Sequence, residues 1–246
     1  MAAGGRLERP AFYALRPGGW RDALTLLHPP YTAWHLSYVA IGAALAPTLH
    51  ADRLAWTLGA FFLGVGVCAH ALDELNGRPL GTRLSDGALW SIALSALTGA
   101  VAIGVLGAVR VSPSILPFTA AGAFIAVAYN LELFEGRFHS DMWFAVAWGA
   151  FPALVGFWAN AERLRVAAVL AMAACFMLSV AQRRLSTPVR ELRRHTVAVR
   201  GEQQLRDGRT VQLDRARLAA PLDAALGTCA LGLVLLAAAM VIARLQ

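Results

Sequence analysis

The sequence predicts an all-α fold: a polytopic transmembrane helix bundle of about seven spans. Three observations carry that prediction. The 246-residue chain is 58% hydrophobic with a mean hydropathy of +0.55, well outside the range of a soluble domain. Apolar runs recur at close to the ~20 residues that cross the hydrocarbon core as a helix. The charged residues gather between those runs.

Residues 1–30 read as an interfacial arm in which arginines, aromatics and aliphatics alternate around Pro17-Gly18-Gly19. Within it, Trp20 to Leu27 suits a short amphipathic helix at headgroup level. His28-Pro29-Pro30 then turns the chain into the first span. Residues 31–246 form one membrane domain, with apolar runs near 32–49, 54–71, 88–109, 114–131, 142–160, 164–181 and 218–243. Glycine and proline inside several runs are ordinary for packed membrane helices. Asp86 reads as the N-cap of the third span. The longest polar stretch, 182–217, is a basic loop. Its alternating apolar residues around Asp207-Gly208 signal a β-hairpin, and its composition equally suits a solvated linker held near anionic lipid.

Charge orients the chain. All 22 basic residues are arginine, so no step can use a lysine amine. The arm holds Arg6, Arg9, Arg16 and Arg21; the next even-numbered loops hold Arg78, Arg83 and Arg137; the 182–217 stretch holds ten more. That places seventeen on one side against five on the other. The positive-inside rule then expects a cytoplasmic N-terminus and an external C-terminus in a bacterial cytoplasmic membrane. A net charge of +7 distributed this way points to anionic membrane lipids or a phosphorylated ligand, and not to nucleic acid. Cys68, Cys175 and Cys229 lie in apolar runs with no disulfide or metal spacing. The first 25 residues show no signal-peptide pattern.

The densest chemistry closes the second run. If that helix continues through Gly77, then His70, Asp73 and Glu74 share one face at i, i+3 and i+4. An imidazole and two carboxylates so placed suit a divalent metal, with Mg²⁺ the natural hard ion. Asn76, Arg78 and Arg83 follow and suit phosphate oxygens. The competing reading pairs Asp73 and Glu74 with Arg78 while Asn76-Gly77 ends the helix. A second polar group, Tyr129, Glu132, Glu135, Arg137, His139 and Asp141, lies in the loop after the fourth run, on the same side. His35 reads as a hydrogen-bonded helix contact within the first run.

These residues give the chain a resemblance to the UbiA superfamily of intramembrane prenyltransferases. The family's first signature, Asn-Asp-x-x-Asp-x-x-x-Asp, is matched by Ala69, His70, Asp73 and Gly77, with only Asp73 in common. Arg78-Pro79-Leu80 is similar to the Arg-Pro-Leu that follows it. Leu15-Arg16-Pro17-x-x-Trp20, Tyr129-Asn130-Leu131 and the run from Gly149 to Gly156 add to the likeness, which spans most of 12–185. The resemblance implies a shortened, divergent membrane transferase acting on a polyprenyl (di)phosphate and a small or lipid acceptor. It implies Asp73, Glu74 and Tyr129 as catalytic residues and His70, Asp73 and Glu74 as Mg²⁺ ligands. Asn76, Arg78, Arg83, Arg137, Arg183 and Arg184 would then bind phosphate. The family's second signature, Asp-x-x-x-Asp, has no counterpart; Arg183 and Arg184 occupy that region. The alternative expectation is therefore a non-catalytic protein that binds an isoprenoid lipid or a partner protein.

Overall fold

The computed structural model describes residues 9–246, so Arg6 lies outside the described residues. A short helix, α1 (Trp20–Leu26), precedes α2 (Pro29–Ala44). Six helices long and apolar enough to cross a membrane follow: α3 (Ala51–Leu75), α4 (Asp86–Arg110), α5 (Pro113–Asn130), α6 (Asp141–Ala161), α7 (Val166–His195) and α8 (Arg215–Leu245). Between α7 and α8 stands an antiparallel hairpin, β1 (Gly201–Gln204) with β2 (Thr210–Leu213), closed through Asp207-Gly208. Gly208 takes the positive φ of 85° that such a turn requires.

The first expected span is the shortest. α2 has 16 residues and ends before 49, because Leu45 to Thr48 turn over the end of the bundle. It is nevertheless the central helix. Trp34, Tyr38 and Ile41 pack with Ala153 of α6, Cys175 of α7, and Ala230, Leu233 and Ala237 of α8. A second core joins α1, α3 and α4 through Leu26, Cys68, Leu72, Leu89 and Ala93. α2 and α6 touch through backbone, with Gly42 against Ala153 O and Gly156 against Val39 O.

Two boundaries differ from the sequence reading. The basic stretch does not begin at 182: α7 continues through Arg190 and ends in a widened turn at His195. Its inner face, Gln182, Ser186 and Val189, stays buried, so packing sustains the helix through its charged residues. Pro188 removes only one rung of the ladder. At α4 the cap is Ser85, whose hydroxyl accepts from Ala88 N–H at 3.2 Å; Asp86 is the first helical residue.

The bundle has two chemically distinct ends. At one, Asn160 Oδ1 accepts from His50 N–H at 2.8 Å, Arg53 pairs with Glu162 at 3.0 Å, and Arg244 reaches Pro47 O at 2.6 Å. At the other lie the arm, the hairpin and the loops after α3 and α5, with sixteen described arginines.

Candidate functional site

The end of α3 divides two adjacent carboxylates between two jobs. Glu74 is fully buried, and its carboxylate accepts from Leu80 N–H at 2.9 Å, Thr82 N–H at 2.8 Å and the Thr82 hydroxyl at 2.9 Å. The Arg78 to Thr82 segment thus folds around Glu74, with Leu80 and Thr82 buried beside it. Arg78 sits at φ 54° and binds Leu84 O at 2.6 Å, and its guanidinium pairs with Asp86. It does not pair with Asp73 or Glu74. The loop is fastened to the arm as well: Asp22, buried, accepts from Gly18 N–H at 2.9 Å and Arg83 N–H at 3.1 Å.

Asp73 takes the opposite course. It is half-buried, and its carboxylate accepts no hydrogen bond from the described residues. Arg190, Arg194 and His139 lie within electrostatic range of it. Tyr129, largely buried, shares that range with Asp73, Arg183 and Arg190. The His139 ring lies 4.6 Å from that of Tyr129, and its Nδ1 donates to Tyr129 O at 3.0 Å.

Beside Asp73 stands an aromatic cluster that the sequence did not disclose. His28 adopts a left-handed backbone, φ 44° and ψ 56°, unusual for a residue with a side chain. This directs its ring inward, where it stacks on His70 with centroids 4.0 Å apart and 15° between planes. The Tyr13 hydroxyl meets His28 Nδ1 at 2.7 Å, and His28 Nε2 is buried without a hydrogen-bond partner among the described residues. Burial, with the neighbouring His70, Arg194 and Arg190, holds the His28 pKa well below the ordinary histidine value. Burial likewise pushes the Tyr13 phenol well above its usual range.

Widened π turns shape the surroundings. One runs from Phe62 to Ala69, and His70 Nδ1 donates to its Gly66 O at 3.1 Å. Another runs from Val146 to Ala150, and His35 Nδ1 donates to its Trp148 O at 2.7 Å. A carbonyl only accepts, so both imidazoles carry their proton on Nδ1. His35 is a buried helix-contact residue, as its position suggested.

The expected phosphate-binding residues do not act as a group. Arg183 donates to Asp141 at 2.7 Å and lies 5.1 Å from the Phe144 ring centroid. Arg83, Arg137 and Arg184 are exposed. Asn76 turns to Glu132 Oε1 at 3.1 Å, tying two loops together. The arginines within electrostatic range of Tyr13, His28 and Asp73 are Arg190 and Arg194, one turn apart on the part of α7 that sequence composition assigned to a loop. Both are half-buried. Arg190 bonds only Thr187 Oγ1 at 3.1 Å and Arg194 only Pro10 O at 3.4 Å; neither pairs with a carboxylate among the described residues.

The donor set does not fit Mg²⁺. Among the described residues no three His, Cys, Asp or Glu side chains converge as a metal site. Glu74 spends both oxygens on its loop, so of the two expected carboxylate ligands only Asp73 keeps oxygens that no described residue engages. A hard octahedral ion needs more oxygen than that.

Compared with known proteins, the chain matches no family model, no curated protein and no solved structure.

Proposed function

We infer that this protein binds the phosphate-bearing head of an isoprenoid lipid, such as a polyprenyl phosphate, at its arginine-rich end. The carrying observation is the pair Arg190 and Arg194. Half-buried guanidiniums that pair with no carboxylate among the described residues are costly unless an anion completes them. Arginine forks suit phosphate oxygens, and the pair lies within electrostatic range of the Asp73 carboxylate. The resemblance to UbiA-type proteins supports an isoprenoid tail, and the missing oxygen ligands favour binding over metal-dependent prenyl transfer. Transfer chemistry retains one supporting feature, Asp73, which is free to act on a bound ligand.

The test is affinity for farnesyl phosphate in nanodiscs of zwitterionic lipid. Each charge-assisted contact contributes about 1.5–3 kcal/mol, so Arg190→Gln and Arg194→Gln each weaken binding about ten-fold or more. Arg184→Gln, on an exposed side chain, leaves it unchanged. Equal affinity in all three variants ends this reading. Pyrophosphate release from farnesyl diphosphate, lost in Asp73→Asn, decides for the transferase.

The reading includes a seven-pass topology with α2 as the first crossing, the N-terminus cytoplasmic and the C-terminus external. Its support is the arginine asymmetry between the two ends. Glu202→Cys, on the exposed hairpin, should resist a membrane-impermeant thiol reagent in intact bacterial cells and react after permeabilisation. Reaction in intact cells reverses the orientation.

A further inference from the structure

The opposite end of the bundle holds a separate feature. α3, α4, α5 and α6 enclose an apolar cavity of about 320 Å³. Its charged lining residues, Asp52, Arg53 and Arg110, stand at the ends of α3 and α4, and Val65, Ala126 and Trp148 line it further along the helices. Its size is roughly twice that of the engineered ~150 Å³ void that holds a benzene molecule.

The cavity has a cause in the sequence. Aromatic side chains prop α6 away from α5: Phe118 meets Trp158 at 5.4 Å and Phe151 at 6.4 Å, and Trp158 Nε1 donates to Ser114 Oγ at 2.9 Å. On the facing helices, small residues decline to fill the gap. Gly104 has an ordinary packing reason, since a Cβ there would fall 2.2 Å from Thr119 Oγ1. Gly64 and Gly107 do not. A Cβ at either would find nothing nearer than 3.9 Å and 3.6 Å respectively, and neither has a positive φ. These two glycines leave space instead of permitting contact.

Walls that face a void lose dispersion contacts, so an apolar occupant is stabilising here. The charged lining residues specify its head. Arg53 is neutralised by Glu162 and also donates to Ala159 O at 3.1 Å. Arg110, exposed at the end of α4, has no carboxylate partner among the described residues, while Asp52 opposes a second negative charge. One available cation beside one carboxylate suits a monoanion and disfavours a diphosphate.

We propose that this cavity binds a single hydrocarbon chain bearing a monoanionic head, with the chain against Gly64 and Gly107 and the head at Arg110. The site is independent of the arginine-rich end and of the function inferred for it.

The probe is 12-bromododecanoate, titrated into the protein in nanodiscs of zwitterionic lipid while tryptophan fluorescence is followed. Trp56, Trp148 and Trp158 line the cavity and report bromine by contact quenching. The expected result is saturable quenching that Gly64→Leu abolishes, with Gly107→Leu as a second filling variant should the first fail to fold. Arg110→Gln weakens binding about ten-fold, the size of one charge-assisted contact. The neutral 12-bromododecanol binds the native protein about ten-fold more weakly and is indifferent to Arg110→Gln. Arg190→Gln leaves every value unchanged, which separates this site from the other. A trace of phosphatidylglycerol brominated in its chains distinguishes the source: saturable quenching by it identifies a phospholipid chain, and quenching by the free acid alone identifies a fatty acid. Quenching that rises in proportion to probe without saturating, or that persists in folded filling variants, overturns the proposal.

Discussion

Gly42→Ala and Gly156→Ala should each destabilise the folded protein by about 3 kcal/mol or more, at the upper end of what overpacking costs. A Cβ at Gly42 would lie 2.0 Å from Ala153 O, and one at Gly156 would lie 2.1 Å from Val39 O. The two sites are reciprocal: each helix offers a glycine to the other's carbonyl, so α2 and α6 cross at backbone contact. Neither obstacle is a side chain that could swing aside. Accommodating one methyl requires the helices to separate, which loosens Trp34, Tyr38 and Ile41 against Ala153 at the same time. Gly232→Ala is the control. Nothing lies within 4 Å of a Cβ there, so exchanging glycine for a better helix former is neutral or stabilising by up to about 1 kcal/mol. The folded fraction in a graded denaturing-detergent titration measures all three. If Gly42→Ala behaves like Gly232→Ala, the close crossing is wrong.

That crossing was not legible in the sequence, although the helices were. Long apolar runs read directly as helices because hydropathy requires no partner. Which glycine faces a carbonyl depends on how two helices pair, and pairing leaves no periodic mark on one chain. The same limit explains the end of α7. Composition sees arginines from Arg183 onward and reads a loop, whereas the helix is sustained by Gln182, Ser186 and Val189 on its inner face. In the sequence Arg190 and Arg194 therefore stand only as topology signals. A periodic reading of buried positions across Pro188 was the available signal for them.

The polar cluster was legible by location and not by role. Asp73 and Tyr129 lie within electrostatic range of each other at the arginine-rich end. His28 reads only as a turn residue, since nothing in His28-Pro29-Pro30 announces a left-handed imidazole stacked on another helix. The glycines around the apolar cavity were legible only as ordinary membrane-helix residues, because their neighbours decide whether a glycine admits contact or leaves a void.

Glu74 gives the second large expected effect, and it sets structure against chemistry. A residue chosen for metal binding or catalysis is expendable for folding; a residue that organises a loop is not. Glu74→Ala leaves Leu80 N–H, Thr82 N–H and the Thr82 hydroxyl without their acceptor in a buried site. Unsatisfied groups of that kind cost about 1–3 kcal/mol each, and losing one side of a buried charged arrangement costs about 3–5 kcal/mol. The expected loss for Glu74→Ala is therefore about 3–5 kcal/mol. Glu74→Gln should fall between, because one oxygen still accepts while its amide nitrogen faces a donor. Asp73→Ala, one residue away, should change stability little, since the Asp73 carboxylate accepts no hydrogen bond from the described residues. The loop is the second readout. Losing Glu74 frees the Arg78 to Thr82 segment, so protease cleavage there should rise sharply in Glu74→Ala and stay at the native rate in Asp73→Ala. If the two alanine variants prove equally stable and equally resistant, Glu74 does not hold the loop. Its carboxylate would then be available beside Asp73, and the metal-dependent reading that its present bonding disfavours would regain its second oxygen donor.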